Sequence, residues 1–256
     1  MRSLNKITGA RVCSKNLNPY TDRMKIHIIP AHERYTAKHG WLESKHLFSF
    51  ADYYDPNNMH FGALRVFNDD FIEWHQGFDM HPHKNMEIIT LVLSGAISHE
   101  DSHGWRATVG PGGVQVMSAG SGLLHSEMNR GEETVHLYQI WIIPREDNLT
   151  PRHEERDFST MRHDTLVPVA SGYDHDALLI NSDAVIYRGI FDEETLWTHM
   201  PHVGTGNVFV YVTKWSVDLI TGETLEAGDQ ARISDAHEIE FTFSAGTEVV
   251  VIDVEN

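Results

Sequence analysis

The chain contains 256 residues, with 20 lysines and arginines against 37 aspartates and glutamates, for a formal charge of −17. This charge argues against direct nucleic-acid binding, because phosphate backbones are negative. The single cysteine, Cys13, excludes an intrachain disulfide, and the absence of an apolar run of about 18 residues excludes a helical membrane span. We therefore expect a cytoplasmic protein, and its 18 histidines direct attention to metal chemistry.

Residues 1–24 are expected to be an extension of undefined role. Its charged side chains are mostly basic, opposite to the balance of the remaining chain. Two interpretations stay open: translation from an upstream start codon, with Met24 as the working start, or an organelle-targeting segment.

From Lys25 onward, short runs rich in Val, Ile, Phe, Tyr and Thr alternate with turn residues at about ten-residue intervals, which predicts an all-β protein built as an antiparallel sandwich or barrel. The clearest predicted strands are Ala63–Asn68, Glu87–Leu93, Gly113–Ser118, Leu137–Ile143, Val208–Lys214, Glu238–Phe243 and Glu248–Val254.

The charged segment PREDNLTPRHEERDF, residues 144–158, holds two prolines and lacks β periodicity, which predicts a surface linker. We therefore place one domain at residues 25–145 and a second at residues 146–256. The segments VGPGGVQVM (Val109–Met117) and LEAGDQARI (Leu225–Ile233) each set a glycine-containing turn before an alternating strand. This weak similarity suggests an internal duplication.

The most informative residues form two pairs, His81 with His83 and His125 with Glu127. Side chains two apart on a strand project from the same face, so each pair can share one ion. If the two segments lie on neighbouring strands, the four side chains converge. Three imidazoles and a carboxylate suit iron, nickel, cobalt, copper or zinc rather than calcium or magnesium, and four protein ligands leave positions open on an octahedral ion. Glu87, four residues after His83, is either a fifth ligand or, as we favour, a partner that orients an imidazole.

The other histidines that we considered are not expected to bind metal. His237 has only the apolar Ile239 two residues away, and His199 and His202 are three apart, so these three are expected to be surface or core residues. His99 and His103 flank an acidic hairpin and are expected in a loop near the barrel mouth.

The runs HPHKNMEIITLVLSG and SAGSGLLHSE (Ser118–Glu127) resemble the HPHxxxE and AGxGxxHSE pattern of the pirin family, in the cupin superfamily. The similarity extends outward to His39–Asp70 and His136–Pro144, which resemble the bacterial quercetinase-like branch. It covers most of the chain from about Lys25.

This resemblance implies a bicupin of two jelly-roll-like β-barrels. The N-terminal barrel would bind one metal through residues matching His81, His83, His125 and Glu127, and the C-terminal barrel would bind none. The predicted cofactor is a divalent transition-metal ion, with iron preferred over nickel, cobalt, copper or zinc.

The resemblance also implies a quercetin 2,3-dioxygenase type of oxidoreductase, which cleaves a flavonol-like substrate with dioxygen through a metal-bound enolate. Glu127 is the predicted base, and Phe50, Phe61 and Met117 are predicted to line a slot for the flat aromatic substrate. The alternative is a metal- and redox-responsive regulatory protein that binds a protein partner. A monomer is expected, because the two barrels can cover each other within one chain.

Overall fold

The computed structural model describes residues 24–202 and 206–255, so Cys13 and nearly all of the predicted extension lie outside the described residues. The described chain is almost entirely β-structure, as predicted, with one short 3-10 helix at Ala31–Glu33. No described helix is both long and apolar enough to cross a membrane.

The first barrel consists of a seven-stranded sheet facing a four-stranded sheet. The seven-stranded sheet contains, in spatial order, β12 (Arg152–Asp157), β9 (Gly113–Ser118), β6 (Glu87–Ser94), β11 (Val135–Ile142), β4 (Leu64–Ile72), β3 (Leu42–His46) and β2 (Tyr35–Lys38). The four-stranded sheet contains β5 (Gly77–His83), β10 (Leu123–Met128), β7 (Ile97–Asp101) and β8 (Arg106–Val109).

The second barrel repeats this plan. Its seven-stranded sheet contains, in spatial order, β1 (Lys25–Ile29), β20 (Gln230–Ser234), β17 (Asn207–Lys214), β22 (Glu248–Val254), β15 (Ala184–Ile190), β13 (Thr165–Ser171) and β14 (Leu178–Leu179). Its four-stranded sheet contains β16 (Thr195–His199), β21 (Ile239–Phe243), β18 (Ser216–Leu219) and β19 (Thr224–Glu226). Every strand pair is antiparallel except β13 with β14 in the described residues.

The two barrels share one strand order over eight consecutive strands. Strands β4–β11 occupy the same relative places in the first barrel as β15–β22 do in the second. The two segments that suggested a duplication contain most of β9 and β20, which hold equivalent places next to β6 and β17. The topology therefore supports an internal duplication.

The prediction of a linker at residues 144–158 is wrong for its second half. Residues 152–157 form β12, which pairs with β9 of the first barrel. The segment lacks apolar alternation because it is an edge strand with charged side chains, a common protection of sheet edges. At the other end of the chain, β1 pairs with β20 of the second barrel. Each barrel thus takes an edge strand from beyond the predicted boundary, whose position stays a prediction.

The two seven-stranded sheets pack against each other around the largest apolar core, which includes Phe67 and Tyr138 from the first barrel and Phe209 and Ile252 from the second. A second continuous core fills the C-terminal barrel, where Val210, Val251 and Phe241 are buried. The interior of the N-terminal barrel instead has two small apolar clusters, one around Ile72, Val92 and Leu137 and one around Ile88, Met117 and Leu123.

Candidate metal centre

The four predicted ligands lie on two paired strands, β5 and β10. His81 is the pairing partner of His125, and the register then shifts so that Glu127 lies opposite Phe78. The extra residue on β5 forms a bulge, a device that redirects side chains. A Cβ at Gly77 would lie 2.2 Å from the Glu127 carbonyl oxygen, so only glycine permits the close approach of the strands here.

Three imidazoles converge inside the barrel wall. The ring centroids of His81 and His125 are 4.4 Å apart, and His83 lies 4.9 Å from each. Ligand nitrogens from all three lie within 4.8 Å of one another. His125 is buried, whereas His81 and His83 are partly exposed, so the group is open to solvent on the β5 side.

The hydrogen bonds leave ring nitrogens available for an ion. The His81 Nδ1 lies 2.7 Å from the Asp79 carbonyl oxygen, and because a carbonyl only accepts, Nδ1 carries the hydrogen and Nε2 keeps a lone pair. The His125 Nε2 is buried without a hydrogen-bond partner among the described residues. A buried polar atom without a partner is costly, and a metal ion would satisfy this one.

The buried Glu127 carboxylate accepts hydrogen bonds from three side chains of the facing sheet. Gln115 and Thr90 donate to its Oε1 at 2.5 and 3.2 Å, and Gln139 donates to its Oε2 at 2.6 Å. These bonds hold a buried carboxylate that would otherwise be expensive to desolvate.

The donors belong to a polar row that crosses the seven-stranded sheet. Pairing sets these interior residues side by side: His46, Asn68, Gln139, Thr90 and Gln115. The row separates the two small apolar clusters and faces Glu127 across the barrel. A polar residue in the middle of a largely apolar strand, such as Gln115 in GVQVMS, was the available sequence signal for this row.

The four predicted ligands do not fall into a single group in the described part of the chain. His81, His83 and His125 form one group, and His99, His125 and Glu127 form another, with His125 in both. The geometry therefore brings the predicted residues into one region, and the ligand set itself stays a prediction.

The prediction that His99 lies in a loop is wrong. His99 is a buried residue of β7, whose side chain faces the barrel interior beside Glu127 on β10. Its ring stacks on that of His153 at 4.3 Å, and its Nε2 donates to Asp101 at 2.9 Å. The spacing His99-x-Asp101 is the same alternation that identified the other pairs, but the hairpin signal obscured the strand. His103 does lie in the exposed turn, as expected.

Glu87 is not on the histidine face. Asn85, at φ 51°, ends the extended path after His83, and Glu87 then begins β6 in the opposite sheet. Ser118 donates to its carboxylate at 2.7 Å, and Asn181 of the second half donates at 3.3 Å. The turn breaks the strand alternation, so the expectation that Glu87 orients an imidazole is wrong.

The other candidate histidines stay outside both metal-capable groups in the described residues. His199 is buried on β16 and binds Asp253 at 2.6 Å, whereas His237 is exposed. His202 follows β16 and donates its backbone N–H to Asp253.

An aromatic wall adjoins the histidines. Trp141 meets His83 edge-on at 4.8 Å, and Phe50 meets Trp141 edge-on at 5.3 Å. Met117 is buried in the small cluster that also contacts Trp141. Phe61 instead packs on the core between the barrels, so its predicted place in a slot is wrong.

Burial lowers the pKa of two of these imidazoles and favours their neutral form. It lowers the pKa of His83 to about 4, with a contribution from His81. It lowers the pKa of His125 to about 2, where His81, His83 and His99 add to the effect. A neutral imidazole is the form that binds a metal.

Fold and site together define a two-barrel cupin protein with a histidine-rich centre in its first barrel. Residues 30–142 match the family model Pirin, and residues 168–254 match the model of the quercetinase C-terminal cupin domain. The chain belongs to the pirin family.

Similar proteins cover nearly the whole chain. The protein named quercetin 2,3-dioxygenase from Escherichia coli K12 is 43% identical over 230 residues, covering 90% of this chain and 98% of its own. A pirin-like protein from Caulobacter vibrioides is 43% identical over 220 residues, covering 85% of this chain and 94% of its own. The crystal structure of the bacterial pirin YhhW from E. coli in complex with nickel(II) has a TM-score of 0.84 at 41% identity, covering 90% of this chain and 99% of that one.

Proposed function

We propose that this protein is a metal-dependent dioxygenase that cleaves a flavonol-like substrate, with His81, His83, His125 and Glu127 as metal ligands. The observation that carries the proposal is the convergence of three imidazoles beside a buried carboxylate and an aromatic wall. The names of relatives at 43% identity support the substrate class.

The residues present fit a transition-metal ion. The buried His125 Nε2 has no hydrogen-bond partner among the described residues, and the nickel(II) complex of YhhW, at 41% identity, supports a bound divalent ion. Imidazole and carboxylate donors suit iron, nickel, cobalt, copper and zinc alike, and we retain iron as the expected metal. When bound, such an ion acts as a Lewis acid that lowers the pKa of a coordinated hydroxyl.

Glu127 is the proposed base. Its Oε2 accepts one hydrogen bond, from Gln139, which leaves this oxygen a lone pair for the metal or for the substrate proton. Gln115 and Thr90 hold Oε1, so the carboxylate keeps its position while a proton moves to it. A positioned base of this kind contributes about 10²–10⁴-fold to the rate.

Trp141 and Phe50 are proposed to orient the substrate. Flat aromatic compounds pack well edge-on or offset against such rings. Trp141 lies next to His83, and Phe50 lies next to Trp141. An open depression of about 600 Å³ that includes His83, Leu123 and Leu124 also adjoins the centre. An apolar wall beside a polar centre is typical of small-molecule sites.

The test begins with elemental analysis of protein purified without added metal, followed by oxygen uptake and loss of the flavonol absorbance band with quercetin. We expect uptake that scales with metal occupancy and disappears in His81→Ala. A fully metallated protein that consumes no oxygen with several flavonols would refute the dioxygenase and favour the regulatory alternative with a protein partner. Cytoplasmic location and a monomeric state also stay predictions.

A further inference from the structure

Two buried side chains outside the proposed ligand set, Asp101 and His99, form a hydrogen-bond chain that ends at His125. The Asp101 Oδ2 accepts a hydrogen bond of 2.9 Å from the His99 Nε2, and the His99 Nδ1 lies 3.4 Å from the His125 Nδ1. The side chains of His99 and Asp101 are completely buried. Neither residue is a ligand or a base in the proposed reaction, so the burial of this polar pair behind His125 requires a separate explanation.

The direction of the chain follows from what each atom can donate. A carboxylate only accepts, so the His99 Nε2 carries a hydrogen, and a ring that holds this one hydrogen presents a lone pair at Nδ1. That lone pair accepts from the His125 Nδ1–H. The remaining lone pair of His125 is then on Nε2, the atom without a partner among the described residues.

The carboxylate at the end of the chain is itself fixed. The backbone N–H groups of His103 and Trp105 donate to the Asp101 Oδ1 at 2.9 and 3.1 Å, which leaves Oδ2 for His99. His153 stacks on the His99 ring and limits its rotation.

The C-terminal barrel provides an internal comparison. On β18, the strand equivalent to β7, the buried residues Val217 and Leu219 are apolar and belong to the core of that barrel. The barrel that lacks the histidine pairs therefore also lacks the chain behind them.

We propose that His99 is a positioning residue which, backed by Asp101, holds His125 in the tautomer whose Nε2 binds the metal. The inference rests on the proposed metal site and adds residues behind it. Partners of this kind typically change metal affinity by about 10–100-fold.

The sharpest variant is Asp101→Asn. The amide oxygen can keep the two backbone bonds, but the amide nitrogen then faces His99 as a donor. His99 must turn its hydrogen to Nδ1, and His125 must accept at Nδ1 and carry its hydrogen on Nε2, the wrong tautomer for the metal. His99→Leu removes the chain, whereas His99→Asn places an amide oxygen near the former Nδ1 and restores the acceptor.

Two measurements test the proposal on the full-length protein. Long-range ¹H–¹⁵N spectra of the metal-free protein report the His125 tautomer, and competition with a chelator gives the Ni²⁺ dissociation constant. We expect an Nδ1–H tautomer in the wild type and Nε2–H in Asp101→Asn. Ni²⁺ affinity should fall about 10–100-fold in Asp101→Asn and His99→Leu, and His99→Asn should recover most of it.

His103→Leu is the matched control, because this exposed histidine follows the same strand and contacts Asp101 only through its backbone. It should leave tautomer and affinity unchanged, and thermal unfolding will show whether each variant is folded. An Nε2–H tautomer in the wild type would overturn the proposal, as would wild-type affinity in both Asp101→Asn and His99→Leu. Complete loss of Ni²⁺ in His99→Leu with an unchanged tautomer would make His99 a ligand instead. If the wild type binds no divalent ion, the proposed function fails. The spectra of the metal-free protein still decide whether the hydrogen-bond chain from Asp101 through His99 to His125 exists.

Discussion

The two barrels have the same strand order but opposite interiors. In the first, a polar row and three buried or half-buried imidazoles separate two small apolar clusters. In the second, one continuous apolar core fills the equivalent space. One topology thus accommodates either a histidine-rich polar centre or a packed apolar core, and the side chains on the interior faces decide between them.

The equivalent strands of the two barrels carry different residues. The paired strands β5 and β10 contain the predicted ligands His81, His83, His125 and Glu127, whereas the equivalent strands β16 and β21 read TLWTH and IEFTF. His199 is the one histidine of β16 and β21, and it binds Asp253. The polar pair Thr90 and Gln115 lies on β6 and β9, whereas the paired residues Val210 and Ala231 on the equivalent strands β17 and β20 belong to the apolar core. The second barrel therefore lacks both the predicted ligand set and the polar row.

The largest expected effect is on metal content. His81→Ala and His125→Ala should each abolish metal binding while the barrel stays folded, because an open site contributes little to the core. His199→Ala, on the equivalent strand of the second barrel, should keep the wild-type metal content. Elemental analysis with circular dichroism checks all three, and full metal occupancy in both N-terminal variants would contradict the ligand assignment.

Glu127→Gln should reduce turnover by about 10²–10⁴-fold, because an amide cannot take up the substrate proton. The bound metal should be retained, though more weakly. Steady-state oxygen uptake at matched metal occupancy provides the measurement. Turnover equal to the wild type would eliminate Glu127 as the base.

In the second barrel, a histidine-to-alanine substitution should change the stability of the fold and leave the metal content unchanged. His199→Ala leaves Asp253 buried with a lost partner, so the free energy of unfolding should fall by roughly 2–4 kcal/mol. His163→Ala is the control, because its pair with Asp192 is exposed and such pairs contribute about 0–1 kcal/mol. Urea unfolding measures the free energy of unfolding of both variants. Equal decreases in His199→Ala and His163→Ala would show that burial of the His199–Asp253 pair does not add to stability.

A pH-dependent effect is expected for Asp70, which lies one row from the polar row in the first barrel. Burial, with the charges of Asp69 and Glu127, raises its pKa from 3.8 to about 7. Between these values the folded state binds more protons than the unfolded state, so wild-type stability falls as the pH rises through this window. Asp70→Asn removes the titration.

The stability difference between Asp70→Asn and the wild type should therefore grow from about pH 4 to 7 and level off above, by at most about 4 kcal/mol. Urea unfolding of the metal-free proteins across this range measures the difference. A difference that does not change with pH would show that Asp70 titrates normally.

Much of the fold was predictable from local pattern. The predicted strands Gly113–Ser118 and Glu248–Val254 coincide with β9 and β22, because apolar and β-branched residues in short runs report burial directly. The strand at residues 152–157 was missed because a charged edge strand carries no such signal. The exchange of β1 and β12 between barrels was equally hidden, since pairing partners far apart in sequence leave no local trace.

The candidate site also has some features that were predictable from the sequence and others that were not. The amino-acid sequence by itself determined the all-β class, the family and the spacing that aims His81 with His83 and His125 with Glu127, since these follow from residue type and a period of two. Only the tertiary structure decided that Glu87 turns away, that His99 and Asp101 stand behind His125, and that Gln115, Thr90 and Gln139 hold Glu127. Those relations depend on register between distant strands, on a bulge and on a left-handed turn, which the sequence of a single strand does not encode.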